Sequence, residues 1–329
     1  MVLVGGIYHA DAGRLLRSHA EVVALEHPAP AAIAAALKGA HAAIVRYPHR
    51  VDAAALSGAG ELVVVASSGR GTDSIDVAAC SARGVAVVNN PGMGTIPVSE
   101  HAIALMLSLS RRLELSDRVV RAGGAWAKRT ELDVRDVNGR TLGIIGLGLI
   151  GSEMARKCIA AFGMKVLTYD PYVPAAKAAA LGATMLTDLG ELLERSDVVS
   201  IHAELNEGSR GMIGEAELRR MRPHAILINT ARGKIVQQKA LERALAEGRI
   251  DSAALDVFEE EPLPEPSPLW DTNNLMLTPH VAGLSGDALR ELAHSAVTQV
   301  LQALAGERPA HLVNPDAWEA ARARLNRSA

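Results

Sequence analysis

Short runs of apolar, mostly β-branched residues alternate with alanine- and leucine-rich stretches along nearly the whole chain. The short runs are typical of strands buried on both faces, and the longer stretches have the length and composition of helices. This alternation predicts an α/β fold with parallel sheets. In the first hundred residues, the expected strands are Val2–Ile7, Ala43–Val45, Leu62–Ala66 and Val85–Val88, with helices at Pro30–Leu37 and Ile75–Arg83.

A turn at Asn89–Gly92 closes this first unit, and a long helical pattern follows over Val98–Arg121. Its broad apolar stripe indicates a helix buried on much of its surface, either within one subunit or at a subunit contact. A second α/β unit begins near Thr141, and the last helical pattern, Gly286–Leu304, is expected to return and pack on the first unit. The second unit has six expected strands, as a complete dinucleotide-binding sheet requires: Leu142–Ile145, Val166–Tyr169, Val198–Ile201, Ala225–Asn229, Ser252–Leu255 and Leu275–Leu277.

Charge and aromatic content exclude some classes of partner. Thirty-four basic and 37 acidic residues among 329 give a net charge of −3, which argues against a strongly basic nucleic-acid-binding protein. Two Phe, four Tyr and three Trp offer little for base stacking. The longest apolar run, Ala102–Ser110, is too short to span a membrane. We therefore expect neither a nucleic-acid nor a membrane partner.

The cysteine content points to a reducing compartment. Cys80 and Cys158 are too few for a disulfide framework or a cysteine-rich zinc site, so no metal is expected. The apolar start, Met1–Ile7, lacks the basic region of a signal peptide. The expected location is the cytoplasm.

A glycine-rich segment lies between the first strand of the second unit and the helix that follows. It has the spacing G-x-G-x-x-G, and each glycine has a physical reason. Gly146 permits a tight turn, Gly148 lets the backbone approach a pyrophosphate, and Gly151 lets the helix pack close to the strand. The first helical turn, with Leu149 and Ile150, offers N–H groups and a partial positive charge to an anion.

Asp170 ends the next expected strand, 19 residues after Gly151. A carboxylate there can accept hydrogen bonds from the ribose hydroxyls of NAD and would repel the extra phosphate of NADP. The alternative is a tight strand–helix turn followed by a solvated Asp. The combined motif favours dinucleotide binding, with NAD as the cofactor.

Three further segments identify a family. They are Asn229-Thr-Ala-Arg-Gly-Lys234, Leu255-Asp-Val-Phe-Glu-Glu-Glu-Pro262 and Thr278-Pro-His-Val-Ala-Gly283. Together with the glycine loop, they closely resemble the D-isomer-specific 2-hydroxyacid dehydrogenases, which include phosphoglycerate, hydroxypyruvate/glyoxylate and D-lactate dehydrogenases. The resemblance extends from the loop Gly69–Asp73 to the final helix.

The resemblance implies an architecture of two doubly wound domains. A Rossmann NAD-binding domain over residues 98–285 would be inserted in a flavodoxin-like substrate-binding domain made of residues 1–97 and 286–329. It also implies a homodimer. The chain departs from the family at Gly94, where members often carry Asn, and at Glu204-Leu205-Asn206, where they often carry Pro-Leu-Thr.

The resemblance also implies roles for individual residues. Arg232 would hold the substrate carboxylate, His280 would be the catalytic histidine, and Glu261 its carboxylate partner. Asp256 would lie near the nicotinamide carboxamide. Further implied cofactor-side positions are Val98, His202, Thr230 and Ala231, and the implied substrate loop is Ser68, Gly69, Arg70 and Gly71.

The chemistry independently suits these residue types. Reduction of a 2-oxo acid needs hydride at carbon and a proton at oxygen. Arginine offers a planar fork for a carboxylate and can polarise the adjacent carbonyl. Histidine exchanges a proton near neutral pH, and a neighbouring carboxylate favours its charged form.

Each residue alone also has an ordinary alternative. Arg232 could be a surface residue after a strand, and His280 a turn residue. The choice of Glu261 over Glu259 or Glu260 depends on the family register. His202 is interpreted as a cofactor-side or structural residue, and Glu100 and His101 as structural. Arg70 is either solvated or a second cation that favours polar substrates.

The predicted function is therefore NAD-dependent interconversion of a small D-2-hydroxy acid and its 2-oxo acid, of the hydroxypyruvate, glyoxylate or phosphoglycerate type. A formate- or phosphite-type dehydrogenase is one alternative, although Glu261 argues against the formate branch, which usually has an amide there. Another is an NAD-binding corepressor-like protein without physiological turnover.

Overall fold

The computed structural model describes residues 1–123 and 126–325, which form two compact units. The first unit comprises Met1–Gly94 together with the segment that begins at Leu284, and the second is Thr95–Gly283. The elements of Met1–Gly94 are, in chain order, β1 (Val2–Val4), α1 (Ala10–Arg17), β2 (Val23–Leu25), α2 (Pro30–Leu37), β3 (Ala42–Val45), β4 (Val64–Ser67), α3 (Val77–Ala82) and β5 (Ala86–Val88).

The second unit is larger and opens with two helices before its first strand. Its elements are α4 (Thr95–Ser110), α5 (Leu113–Arg121), β6 (Thr141–Ile145), α6 (Leu149–Phe162), β7 (Lys165–Tyr169), α7 (Ala175–Ala180), β8 (Thr184–Leu186), α8 (Leu189–Arg195), β9 (Val198–Ile201), α9 (Glu215–Arg220), β10 (Ile226–Asn229), α10 (Gln238–Ala246), β11 (Ser252–Leu255) and β12 (Leu275–Leu277). Two final helices, α11 (Gly286–Leu304) and α12 (Trp318–Leu325), belong to the first unit.

Both sheets are fully parallel, which confirms the predicted α/β class. The first has strand order β2-β1-β3-β4-β5, the doubly wound order of flavodoxin-like folds. The second has order β12-β11-β10-β9-β6-β7-β8, which is the Rossmann order with β12 added beside the sixth strand. Apolar clusters cover both faces of each sheet. The ends of β10, β11 and β12 are therefore neighbours at one edge of the second sheet.

The prediction that the last helix returns to the first unit is confirmed. Ala293, Val297 and Val300 of α11 lie in the same apolar cluster as strands β1, β3, β4 and β5. Buried Gln299 donates to the Asn89 carbonyl and accepts the His311 N–H. The helix thus supplies both apolar cover and polar pairing to the sheet.

Two strands were missing from the sequence-based prediction, and one was too long. The missed strands, β2 and β8, have three residues each, lie at sheet edges and are partly exposed, so they lack the buried apolar run that marks most of the other strands. The second sheet consequently has seven strands rather than six. β1 ends at Val4, because Gly5 and Gly6 both adopt positive φ angles, 82° and 77°.

The single helix predicted over Val98–Arg121 is wrong, since two helices occupy this region. The chain breaks at Arg112, whose φ of 50° is left-handed. Arg112 bonds Asp251 at 2.7 Å, a residue 139 positions away. The first helix, α4, packs within the second unit, whereas α5 has no buried residue. Across the described ranges, no helix combines the length and apolarity that crossing a bilayer would demand.

Candidate active site

The glycine loop joins β6 to α6. Gly146 has a φ of 94°, and a Cβ there would lie 2.5 Å from the Ala203 nitrogen. A Cβ on Gly151 would lie 2.1 Å from the Gly146 carbonyl oxygen, so the helix approaches the strand too closely for any side chain. A Cβ on Gly148, by contrast, would meet no atom within 4 Å. Gly146 and Gly151 are therefore required by the close packing of the turn and the helix. Gly148 instead leaves open space at the start of a 14-residue helix, where an anion is favoured.

Asp170 is fixed beside this loop. Its Oδ2 accepts the Leu147 N–H at 2.8 Å, and its Oδ1 accepts the Tyr172 N–H at 2.9 Å. Lys177, which was not among the predicted site residues, donates to the Leu147 carbonyl at 2.7 Å. The helix α7 brings this cation back toward the glycine loop, which local spacing did not indicate.

Two buried polar atoms directly after β9 and β10 of the same sheet have no hydrogen-bond partner among the residues that the structure describes. They are His202 Nδ1 and Thr230 Oγ1. His202 is 8% exposed, and its Nε2 lies 2.9 Å from Ser200 Oγ. Burial lowers the pKa of His202 to about 4, so the ring is neutral at physiological pH. Orphaned buried polar atoms are rare. With the open position at Gly148, they fit a polar cofactor such as a dinucleotide.

His280 and Glu261 form a direct pair. His280 Nδ1 lies 2.6 Å from Glu261 Oε2, and Glu261 Oε1 accepts the Phe258 N–H at 2.9 Å. The Glu261 side chain is 10% exposed, whereas that of His280 is 38% exposed. Because an ionised carboxylate only accepts, Nδ1 carries a hydrogen and Nε2 is left to exchange a proton. Glu259 instead accepts the Gln238 N–H.

Arg232 follows β10 in a turn shaped by Asn229. The Asn229 side chain donates to the Arg232 carbonyl at 2.9 Å and accepts the Ala231 N–H at 3.0 Å. The Arg232 side chain is half-buried, and its Nη1 donates to the Ala231 carbonyl. A Cβ on the next residue, Gly233, would lie 1.8 Å from the Phe258 carbonyl carbon. Only glycine allows the Arg232 turn to touch the segment that leads to Glu261, a requirement the sequence analysis missed.

Asp256 follows β11 and is fully buried. Its Oδ1 accepts from Thr278 Oγ1 at 2.6 Å and from the Val281 N–H at 2.9 Å, and its Oδ2 accepts the Ala282 N–H at 3.0 Å. A carboxylate has about four lone-pair directions, so roughly one remains for another donor. The structure thus places Asp256 beneath the turn that carries His280.

The loop Ser68–Gly71 follows β4 in the first unit. Ser67 Oγ donates to the Gly71 carbonyl at 2.6 Å and accepts the Gly69 N–H at 3.2 Å. The next strand's end supplies two asparagines that the sequence analysis interpreted only as a turn. Asn89 donates to the Arg70 carbonyl at 2.7 Å, and buried Asn90 donates to the Ser67 carbonyl at 2.9 Å. The backbone of this loop is therefore fixed, and the Arg70 side chain is exposed.

The remaining predicted positions lie in the second unit. Leu149 is exposed and Ile150 half-buried at the first turn of α6, and Ala231 is buried after β10. Val98 is buried on α4, near Gly283.

One group of potential metal ligands was not anticipated, and it lies in the first unit. His9, Asp11 and His294 have ligand atoms within 4.8 Å of one another. Asp11 already pairs with Arg14 and lies 3.8 Å from Arg290, and these cations would oppose a bound metal ion.

Comparison with known proteins identifies the second unit. Residues 103–282, more than half of the chain, match the family described as "D-isomer specific 2-hydroxyacid dehydrogenase, NAD binding domain". A glyoxylate reductase from Korarchaeum cryptofilum is 42% identical over 269 residues, covering 81% of this chain and 80% of that protein. A D-3-phosphoglycerate dehydrogenase from Methanocaldococcus jannaschii is 34% identical over 95% of this chain, but the chain spans only 59% of its length.

A solved structure extends the likeness to both units. The TT0316 protein from Thermus thermophilus is 32% identical, with a TM-score of 0.87 over 95% of this chain and 99% of that one.

Proposed function

Because this chain belongs to the D-isomer specific 2-hydroxyacid dehydrogenases, a family of NAD-dependent oxidoreductases, we propose that it interconverts a small D-2-hydroxy acid and its 2-oxo acid. The substrate that we propose is of the hydroxypyruvate, glyoxylate or phosphoglycerate type. The observation that carries this proposal is the bonded pair His280–Glu261 in the unit that holds the glycine loop.

The proposed mechanism assigns proton and charge handling to three side chains. When bound, NAD would supply or accept the hydride that this reaction requires. His280 holds the proton for the substrate oxygen on Nε2, while Glu261 fixes the ring through Nδ1. Arg232 binds the substrate carboxylate with its guanidinium fork and stabilises charge that develops on the neighbouring oxygen.

The residues that would hold NAD are those of the glycine loop and its surroundings. Gly148 and the first turn of α6 would bind the pyrophosphate, and Asp170 the adenosine ribose. His202 Nδ1 and Thr230 Oγ1 are buried polar atoms suited to receive cofactor groups. Asp256 has one acceptor direction left, which suits the carboxamide N–H₂. The proposed preference is NAD over NADP.

The substrate loop would contribute mainly through its backbone. Ser68, Gly69 and Gly71 have small side chains, and the hydrogen bonds of Ser67, Asn89 and Asn90 hold the loop in one shape. We assign backbone N–H groups of this loop to the substrate carboxylate. The exposed Arg70 side chain would then act on a polar or charged group at carbon 3.

A homodimer and a reducing location complete the proposal. Leu113, Leu115 and Val120 of α5 are exposed, and none of the helix is buried, so α5 is available to a second copy of this chain. Cys80 and Cys158 are buried thiols, and burial raises the pKa of each to about 12. Two cysteines without a disulfide suit a reducing compartment, and we propose the cytoplasm.

The test is a panel of 2-oxo acids assayed with NADH. It includes glyoxylate, hydroxypyruvate, phosphohydroxypyruvate, pyruvate and bulkier keto acids, with phosphite and formate tested separately against NAD. We expect the highest kcat/KM with glyoxylate, hydroxypyruvate or the phosphorylated acid. Turnover of phosphite but of no 2-oxo acid would contradict the proposed substrate class and identify a phosphite-type dehydrogenase. NADH binding with no turnover on any substrate would favour a corepressor-like role.

A further inference from the structure

The turn that carries His280 has a strained backbone. His280 has a φ of 53°, which lies in the left-handed region that a side chain with a Cβ seldom adopts. Its own N–H donates to the Asp256 carbonyl at 2.8 Å, and the next two N–H groups donate to the Asp256 carboxylate. Asp256 therefore determines the conformation of this turn, because three consecutive backbone donors converge on it.

The Asp256 carboxylate is itself held from the side by α4. Within residues 1–123 and 126–325, no lysine or arginine pairs with it. Thr278 Oγ1 lies 2.6 Å from Asp256 Oδ1, and His101 Nε2 lies 3.0 Å from the same hydroxyl. His101 Nε2 is also 3.6 Å from Asp256 Oδ1.

The direction of these hydrogen bonds follows from the groups involved. A carboxylate that already receives two backbone N–H groups is an acceptor, so the single hydroxyl hydrogen of Thr278 points to Asp256. The Thr278 oxygen must then accept from His101, which places the hydrogen of that ring on Nε2. The resulting chain runs one way, from His101 through Thr278 to Asp256.

We propose that His101 is a positioning residue for His280. Through Thr278 it fixes the Asp256 carboxylate, and through Asp256 it holds the strained turn in the shape that keeps His280 Nδ1 on Glu261. This inference rests on the proposed function, in which His280 transfers the proton. His101 itself does not touch the reacting atoms.

The first test compares two substitutions of His101. His101→Leu removes the donor, whereas His101→Gln keeps an N–H at a similar reach. In steady-state assays with the best 2-oxo acid, we expect His101→Leu to lower kcat roughly 10- to 100-fold, the range for groups that act through a catalytic residue's placement. His101→Gln should recover most of the lost kcat.

The second readout needs neither substrate nor cofactor. In ¹⁵N-histidine-labelled protein, the short His280–Glu261 hydrogen bond should give a downfield Nδ1–H resonance, assigned by its absence in His280→Asn. We expect this resonance to broaden or disappear in His101→Leu and to persist in His101→Gln. His224→Leu serves as the control. It also removes a histidine whose Nε2 is hydrogen-bonded, here to Asp197, but His224 lies on the surface of the same unit.

The outcomes separate this inference from the proposed function. A wild-type resonance and wild-type kcat in folded His101→Leu would overturn the positioning role, and so would failure of His101→Gln to exceed His101→Leu. If the unmodified protein reduces none of the 2-oxo acids, the proposed function fails. The resonance then still decides whether His101 holds the turn.

Discussion

Two regions at strand ends differ in what their side chains bond to. At the carboxyl ends of β10, β11 and β12, side chains bond to one another and to nearby turns, as in the pair His280–Glu261. In the loop after β4, side chains from Ser67, Asn89 and Asn90 bond to backbone atoms, and the one long side chain of the loop, Arg70, is exposed. The first region fixes functional side chains, and the second fixes a stretch of main chain.

This difference indicates how each region tolerates change. Where chemistry depends on a side chain, one substitution removes the reacting group or its support. Where recognition depends on backbone N–H groups, substitutions in the loop itself matter less than loss of the groups that hold it. Substitutions should therefore have large effects at the first region and smaller, substrate-dependent effects at the second.

The largest effect is expected at His280. His280→Ala removes the proton donor and should lower kcat by about 100- to 10,000-fold, the usual contribution of a general acid–base group. Stopped-flow or steady-state assays give kcat, and fluorescence titration should show NADH binding that is nearly intact. His224→Ala, on the surface, provides the control. Near-normal turnover in His280→Ala would show that His280 is not the proton donor.

A buried histidine in the same unit predicts a pH-dependent stability. Burial lowers the pKa of His202 to about 4, while the unfolded chain binds a proton near its ordinary value of 6.5. The unfolded state thus binds more protons below pH 6.5, and the stability that His202 contributes is lost as pH falls toward 4. Between about pH 7 and about pH 5 the loss is about 2 kcal/mol.

Urea unfolding at several pH values measures this slope. His202→Gln should remove about 2 kcal/mol of the difference between about pH 7 and about pH 5, whereas His27→Gln, at an exposed position, should not. An unchanged slope in His202→Gln would show that this histidine is not buried as a neutral ring.

Cofactor choice tests a carboxylate whose position is fixed by backbone groups. Asp170 should disfavour a 2′-phosphate by like-charge repulsion, so kcat/KM with NADH should exceed that with NADPH by about 10-fold or more. Asp170→Ala should narrow this ratio, and Lys177→Ala should widen it, because Lys177 is the cation held near the loop. Equal use of both cofactors by the unmodified protein would contradict the assignment of Asp170.

The smallest effect is expected at Arg70, the side chain that departs from the backbone-built pattern of its loop. Arg70→Ala should raise the KM for hydroxypyruvate or its phosphate by about 5-fold, the value of one partly solvated charge contact. The KM for pyruvate should change little, since pyruvate has no polar group at carbon 3. Comparable changes in KM with both substrates would show that the Arg70 side chain does not recognise the group at carbon 3.

The sequence predicted most of the fold because the central strands are continuous apolar runs. β2 and β8 were missed because each pairs on one side only and has exposed positions, so burial leaves little trace in their composition. The break at Arg112 escaped for another reason. Its left-handed backbone is held by Asp251, and no local pattern reveals a partner 139 residues away.

In the site too, features set by neighbouring residues could be predicted, whereas contacts between distant parts of the chain could not. The tight turn at Gly146, the close approach at Gly151 and the place of Asp170 beside the loop could be predicted from local spacing and the strand–helix context. His101 was interpreted as structural because its partner, Thr278, lies 177 residues away and is reached only when α4 packs beside the end of β12. Lys177 and Gly233 were missed similarly, since each depends on which segments the folded chain brings into contact.

The composition of the first unit from two separated segments has a consequence for synthesis. The ribosome releases β1–β5 before the whole of Thr95–Gly283, and only then α11, which covers one face of the first sheet. At a translation rate of roughly 5 to 20 residues per second, that apolar face stays without α11 for about 10 to 40 seconds. The later-made domain can finish folding first, and the nascent first sheet is the segment on which a chaperone would act during translation.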